Sequence, residues 1–281
     1  MFKKIEVPPH LSKLVKYFYQ LEQTIESGKN QYLLPSSMPI AGFIYKGGWN
    51  IESEPRTGKI EMELPNFYIV GQITCGYYLM LKDEDAGVIG AALQPDALWQ
   101  IFKTDIEPFT NSPKDSNDIF KKFGFDAYQK KLLSQNNIEK FTEIVIEFFT
   151  NIQNEINYEY TPASEVVNII TDKKGIIKVT ELCELMKLPE RYLQRNFKKV
   201  IGTSIKDFIR CVRFNNLFTE IFLKPEGQDT ETLIYLYSYY DLSHFYKDYK
   251  YFFKVSPTKE QKERFHLLEE LIVNGKYLLM K

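Results

Sequence analysis

The chain holds only three cysteines and three histidines in 281 residues. Cys75, Cys183 and Cys211 stand far apart with no C-x-x-C pair, which excludes a disulfide framework and a zinc finger and fits a reducing compartment. His10, His244 and His266 are equally scattered, so the histidine and glutamate cluster of a metal-binding β domain is missing. No G-x-S-x-G, phosphate loop, dinucleotide fingerprint or H-E-x-x-H occurs. Catalysis therefore has nothing to attach to, and the chain is expected not to be an enzyme and to carry no cofactor and no metal. Met1 to Pro9 lacks the apolar core of a signal peptide, and no uncharged apolar run reaches the roughly 18 residues of a membrane span. The expectation is a soluble, cytoplasmic protein without a membrane partner.

An excess of one charge is also missing, since 36 basic face 37 acidic side chains. That balance excludes a generally polycationic, histone-like binder. The two parts of the chain differ, however: residues 1–161 carry 16 Lys and Arg against 21 Asp and Glu, whereas residues 162–265 carry 18 against 14. So small a basic excess points to nucleic acid only if a motif stands beside it.

The chain is longer than one average domain, and 44% apolar residues suffice for real cores, so two domains are expected. The first hundred or so residues read as short strands closed by Gly and Pro. They are Gln31–Leu34, Ile40–Tyr45, Phe67–Val70, Tyr77–Leu81 and Val88–Leu93, a pattern that suggests a small β-barrel, followed by a short helix over Asp96–Phe102. The polar stretch Asn111–Asn117 marks the exit from this domain. Ile138, Phe141, Val145, Phe148, Ile152 and Ile156 then recur at helical spacing. Such a stripe serves either as a face packed on its own domain or as a dimerisation helix. Tyr45, Trp49, Tyr68, Tyr77 and Tyr78 are candidates for lining a ligand pocket, with core packing as the competing reading.

After Thr161-Pro162 the pattern is helical. A helix opens near Ser164-Glu165 and ends at Lys173-Lys174-Gly175, where basic residues and a glycine suit a helix C-terminus. Val179–Lys187, a turn at Leu188-Pro189 and Glu190–Val200 form two short helices at helix-turn-helix spacing. Leu182, Cys183 and Met186 face inward on the first. On the second, Tyr192, Leu193, Phe197 and Val200 are expected to hold the core. Arg191, Gln194, Arg195, Lys198 and Lys199 make its other face basic and rich in donors for base edges and phosphates.

Ser204 and Asp207 stand at capping-box spacing before a longer helix with Ile205, Phe208, Ile209, Val212 and Ile221 on one stripe. About 18 residues make a rod of about 27 Å, long enough to hold two heads near one DNA turn of about 34 Å apart. The second head would be a helix over Thr230–Tyr237, a turn at Ser238-Tyr239-Tyr240-Asp241 and a helix over Leu242–Phe253. A last helix would start at Ser256-Pro257.

Arg191-Tyr192-Leu193-Gln194-Arg195-Asn196-Phe197-Lys198-Lys199, then Gly202, Ser238-Tyr239-Tyr240-Asp241-Leu242-Ser243-His244-Phe245 and Val255-Ser256-Pro257 together resemble the signature of AraC/XylS-type transcription regulators. The resemblance spans about a hundred residues in order and spacing. It implies an α+β chain with a β-rich, cupin-like sensor domain at 1–110 and a helical linker at 111–160. A double helix-turn-helix DNA-binding domain at 161–265 and a tail at 266–281 would follow. It further implies that Arg191, Gln194 and Arg195, and then Leu242, Ser243, His244 and Lys247, face bases or nearby phosphates, with Lys198, Lys199 and Lys250 as phosphate candidates. Duplex DNA is the implied partner, and RNA polymerase, a small-molecule effector and a second copy of the chain are compatible with it. Tyr68–Thr74 and Gly87–Pro95 resemble N-terminal domains found beside such regulators. DNA-repair relatives of the family would need a reactive cysteine cluster, which this chain lacks.

Four departures stand out. The family usually has glycine where Ser238 and Lys254 stand, positions that tend to need a positive φ. Ile234 replaces a small alanine, and Lys259-Glu260 replaces a Tyr-Arg. The competing reading is a protein of the same shape that acts through protein contacts, its basic helices merely solvated.

Overall fold

In the computed structural model, residues 1–26, 30–55, 58–223 and 229–254, with Leu267, Leu268 and Ile272, are described. The expected last helix at Ser256-Pro257 lies outside them.

The N-terminal part is two antiparallel sheets with helices on one side. Its strands are β1 (Phe2–Ile5), β2 (Val15–Thr24), β3 (Asn30–Leu33), β4 (Ile40–Lys46), β5 (Trp49–Ser53), β6 (Ile60–Glu63), β7 (Phe67–Val70), β8 (Tyr77–Leu81), β9 (Asp85–Leu93) and β10 (Lys114–Asp115). One sheet runs β1-β2-β9-β4-β7-β10 and the other β3-β8-β5-β6. The expected closed barrel is therefore not formed. The polar segment after Asn111 supplies the edge strand β10, paired to β7.

Alternation along the larger sheet decides what each face covers, because successive side chains of a strand point to opposite sides. Phe18, Ala41, Phe43, Phe67, Ile69, Ile89 and Ala91 point to a helical layer. Leu21, Ile44, Tyr68, Ala86 and Val88 point to the smaller sheet, meeting Leu33, Trp49, Ile51, Leu79 and Leu81. With both faces covered, β7 is buried at every position.

The helical layer consists of α1 (Ala97–Phe102), α2 (Ser116–Ile119), α3 (Phe125–Leu133) and α4 (Ile138–Glu155). On α4, Phe141, Val145, Phe148 and Ile152 are all buried in this core, along with Phe149. The stripe read from the sequence is thus covered within its own domain, and the dimerisation reading has no exposed apolar face of α4 to rest on. Phe43, Phe120, Phe125, Phe148 and Phe149 form a cluster of rings at centroid distances of 4.9 to 6.3 Å.

The C-terminal part comprises α5 (Pro162–Asp172), α6 (Val179–Met186), α7 (Glu190–Ile201), α8 (Ile205–Leu223), α9 (Thr230–Leu236) and α10 (Leu242–Phe253). It has two cores. The first gathers Val166, Ile170, Leu182, Leu193, Phe197, Val200, Phe208 and Val212. The second gathers Phe214, Leu217, Leu233, Ile234, Phe245, Phe252 and Phe253, and it also takes in Tyr32 and Leu34 of the β domain. Helix α8 spans both, and its 19 residues amount to about 28 Å at 1.5 Å per residue. Among the described residues no helix is long and apolar enough to cross a membrane.

Candidate nucleic-acid interface

The first helix pair is built as its sequence predicts, from the cap inward. Helix α6 stops where Lys187 enters the left-handed region at φ 53°, and the chain turns through Leu188-Pro189 into α7. Leu193, Phe197 and Val200 of α7 are fully buried, which fixes the rotation of the helix. Arg191, Arg195, Lys198 and Lys199 are then left exposed, with Gln194 half-buried beside them. Arg191, Gln194, Arg195 and Lys198 share one shallow open concavity with Glu190 and Ser204. Tyr192, expected in the core, instead points outward and is 42% exposed.

The second pair repeats the design. Asp229 caps α9, accepting from the N–H groups of Glu231 and Thr232 at 3.0 Å each. Asp241 caps α10, accepting from the His244 N–H at 2.7 Å. Ser238 in the turn and Lys254 at the end of α10 hold φ of 58° and 59°, the conformation inferred for these non-glycine positions. With Phe245, Tyr249, Phe252 and Phe253 turned inward, Ser243, Lys247 and Lys250 are exposed. Leu242 and His244 are half-buried, the imidazole lying edge-on to Tyr239 at 5.0 Å.

Tyr246 was not singled out from the sequence, yet it stands in the middle of the exposed face, three residues from Ser243 and four from Lys250. That spacing was the signal. Tyr240, in the turn ahead of α10, is 86% exposed.

A family model described as a helix-turn-helix domain matches residues 182–263, from α6 through the segment beyond α10. The C-terminal region carries a helix-turn-helix domain of the AraC type. No curated protein matches the sequence. Among solved structures, ToxT from Vibrio cholerae O395 is 12% identical, with 88% of this chain and 97% of that one covered and a TM-score of 0.45. Wild-type ToxT from Vibrio cholerae strain SCE256, bound to an unsaturated fatty acid, is 13% identical over 86% and 92% at 0.42. The AraC-like transcriptional activator CuxR is 15% identical over 75% and 79% at 0.26.

The AraC-type domain is held by the β domain at the C-terminal ends of both exposed helices. Ahead of α7's end, the Ile106 N–H donates to the Lys199 carbonyl at 3.0 Å and Thr110 Oγ1 to the Gly202 carbonyl at 2.8 Å. Glu107 pairs with Lys198 at 2.9 Å. Gly202 sits at φ 88°, and a methyl carbon there would stand 2.7 Å from Thr110 Oγ1, so the close approach requires glycine. At the end of α10, the Tyr32 hydroxyl donates to the Phe252 carbonyl. The Pro35 carbonyl accepts from Asn215 Nδ2 of α8 at 2.7 Å.

Between the two sheets lies an apolar cavity of about 120 Å³. Of the aromatics proposed from the sequence, Trp49, Tyr68 and Tyr77 line it. Tyr45 instead packs on Phe141 and donates to Glu22, and Tyr78 packs on Tyr32. The cavity walls are continuous with the contacts that hold the AraC-type domain. Asn111 follows Thr110, Leu33 and Leu34 follow Tyr32, and Leu267 comes from beyond α10. The Leu267 N–H donates to Gln31 Oε1 at 2.8 Å. Among the described residues no cluster of His, Cys, Asp or Glu is placed to hold a metal ion.

Proposed function

We infer that this protein is a cytoplasmic, sequence-specific DNA-binding transcription regulator whose two exposed helices, α7 and α10, read successive major-groove segments under control of a small ligand in the β domain. One observation carries the reading. Both helices bury one apolar face in separate cores of an AraC-type domain and leave the other face exposed with cations, Arg191, Arg195, Lys198 and Lys199 on α7 and Lys247 and Lys250 on α10. Arginine suits guanine edges, glutamine suits adenine edges, and lysine suits phosphates.

In the first head, Arg191, Gln194 and Arg195 face bases and Lys198 and Lys199 face phosphates. In the second, Ser243 and Lys247 are the exposed readers, Lys250 a phosphate contact, and Leu242 and His244 flank them. Leu242 offers a thymine methyl an apolar contact in place of a hydrogen bond. Ligand control is supported by the shared walls. A molecule that moved Leu33, Leu34 or Asn111 would move the neighbours that hold Phe252 and Gly202. RNA polymerase and a second copy of the chain are compatible partners of such a regulator, and the reading includes no catalytic step.

The test is selection of duplexes from a random pool by the full chain, followed by titration of the selected site at increasing salt. Affinity should fall steeply with salt, because each neutralised phosphate releases counterions. Arg195→Ala should relax selection at one position, with a loss of about 1–3 kcal/mol. No enrichment, or binding indifferent to salt, would instead favour a protein that works through protein contacts.

A further inference from the structure

The cavity of the β domain has a chemistry of its own. Twenty-two of the described residues line it, and none of these is an aspartate, a glutamate, a lysine, an arginine or a histidine. Its polar side chains are mostly satisfied elsewhere: Trp49 Nε1 donates to Gln23 Oε1 at 3.0 Å, Ser36 Oγ to the Met38 carbonyl at 2.8 Å, and Asn111 Nδ2 to Thr74 Oγ1 at 2.8 Å. Four phenols are the exception. Tyr17 and Tyr19 come from β2, Tyr68 from β7 and Tyr77 from β8 of the opposite sheet. None of these four hydroxyls has a hydrogen-bond partner among the described residues, although Tyr68 is only 8% exposed.

Register explains why two of them converge. Tyr19 pairs with Gly90, Gly90 with Gly42, and Gly42 with Tyr68, so one cross-strand row reads Tyr-Gly-Gly-Tyr over β2, β9, β4 and β7. Each ring folds inward over its glycine. A methyl carbon at Gly90 would lie 2.0 Å from Cζ of Tyr19 and 2.4 Å from its hydroxyl oxygen, and one at Gly42 would lie 2.2 and 2.5 Å from the same atoms of Tyr68. Since directly paired Cβ positions are about 4.5–5.5 Å apart, both oxygens stand over one adjacent pair of backbone positions, within reach of a single ligand group. Alanine at either glycine would drive a ring out of this arrangement.

We propose that the cavity binds a small neutral molecule, one ring or a short apolar chain carrying a single hydroxyl or carbonyl group, with that group held by the Tyr19 and Tyr68 hydroxyls. The inference rests on the ligand control put forward above and names its ligand class. Size follows from the volume, since a dry apolar cavity of about 150 Å³ accommodates benzene. Neutrality follows from the lining. A carboxylate placed there would lose its hydration with no cation among the described lining residues to pair with, Lys4 lying outside against the Tyr17 ring and Lys254 beyond Cys75, a cost of several kcal/mol. A hydroxyl or carbonyl asks only for one or two hydrogen bonds, which the unpartnered phenols supply. Burial holds these phenols protonated, Tyr17 being pushed up to about 12, so they remain donors at neutral pH.

Calorimetry on the full chain with four probes, benzyl alcohol, acetophenone, toluene and benzoate, tests the proposal. Benzyl alcohol and acetophenone should bind at least about fivefold more tightly than toluene, and benzoate should not bind. Tyr19→Phe and Tyr68→Phe, which keep the ring, should each weaken the first two about tenfold while leaving toluene unchanged. Benzoate binding as tightly as benzyl alcohol, affinities untouched by both substitutions, or no binding of any probe would overturn it. Operator binding, measured on the same samples, separates the outcomes: a chain that selects DNA but takes none of the probes loses the ligand class and keeps the regulator.

Discussion

Arg210 of α8 meets Asp248 of α10 at 2.7 Å through both Nε and a terminal guanidinium nitrogen. Asp248 is 3% exposed, and it also accepts from the Tyr239 hydroxyl at 2.8 Å and lies 3.6 Å from Arg213. Arg210 stacks on Tyr251 at 3.8 Å and Arg213 on Tyr239 at 4.4 Å. Helices α8 and α10 are therefore locked in one orientation by a carboxylate inside an aromatic cage. Asp248→Ala leaves two arginines without their counter-charge, so it should destabilise the chain by about 3–5 kcal/mol, toward the lower figure because both arginines keep some solvent. Asp248→Asn, which retains the tyrosine bond, should cost less. Urea unfolding followed by circular dichroism gives both values, and equal melting of wild type and Asp248→Ala would refute the lock.

Left-handed residues at two helix boundaries predict the opposite effect. Ser238 at φ 58° has an exposed side chain. Glycine there relieves about 1–2 kcal/mol of steric strain against about 0.4–1 kcal/mol of added freedom in the unfolded chain. Ser238→Gly should thus raise the thermal midpoint. Lys254→Gly should gain less, since the Lys254 ammonium lies 5.5 Å from the centre of the Tyr251 ring and that contact would be lost. A drop in midpoint for Ser238→Gly would show that the turn draws on the serine itself.

Phe148 separates packing from assembly. It is fully buried among five other phenylalanine and tyrosine neighbours of the helical layer and sheet. Phe148→Ala should cost about 3–5 kcal/mol, as for other large-to-small changes in cores, and leave the sedimenting mass of the native protein unchanged. A fall in mass at full native structure would restore a dimer contact to α4.

Legibility in the sequence followed local punctuation. β7, β8 and α10 are bounded as read, because Gly71, Gly76 and the cap Asp241 mark their ends in the chain itself. β2 went unread. A bulge between Val15 and Tyr17 breaks its alternation, and Gln23 looks like a surface residue until Trp49 is placed beside it. The outward face of α7 was legible from helical spacing alone, except at Tyr192, whose ring has no facing element to bury it. The cavity was not legible. Its Tyr-Gly-Gly-Tyr row joins four strands far apart in sequence, and only the pairing register aligns them. The Glu107 contact with Lys198 likewise depends on how the two domains meet.

That contact carries the remaining prediction. Lys198 is a phosphate candidate, yet Glu107 of the β domain already holds its ammonium at 2.9 Å, and the hydrogen bonds raise the lysine's affinity for its proton. A duplex that claims Lys198 must displace a carboxylate or share the cation with it. Both side chains are more than half exposed, so the pair itself is weak, in the range of 0.2–1 kcal/mol, roughly. Glu107→Gln should therefore tighten binding of the selected duplex by about 1.5- to 5-fold at low salt, with the advantage fading as salt rises. Arg195→Ala, whose side chain has no such competitor among the described residues, should weaken binding at all salts. If Glu107→Gln weakened binding instead, the carboxylate would be serving to position α7, and the anchoring bonds from Ile106 and Thr110 would not be sufficient to hold that helix in place.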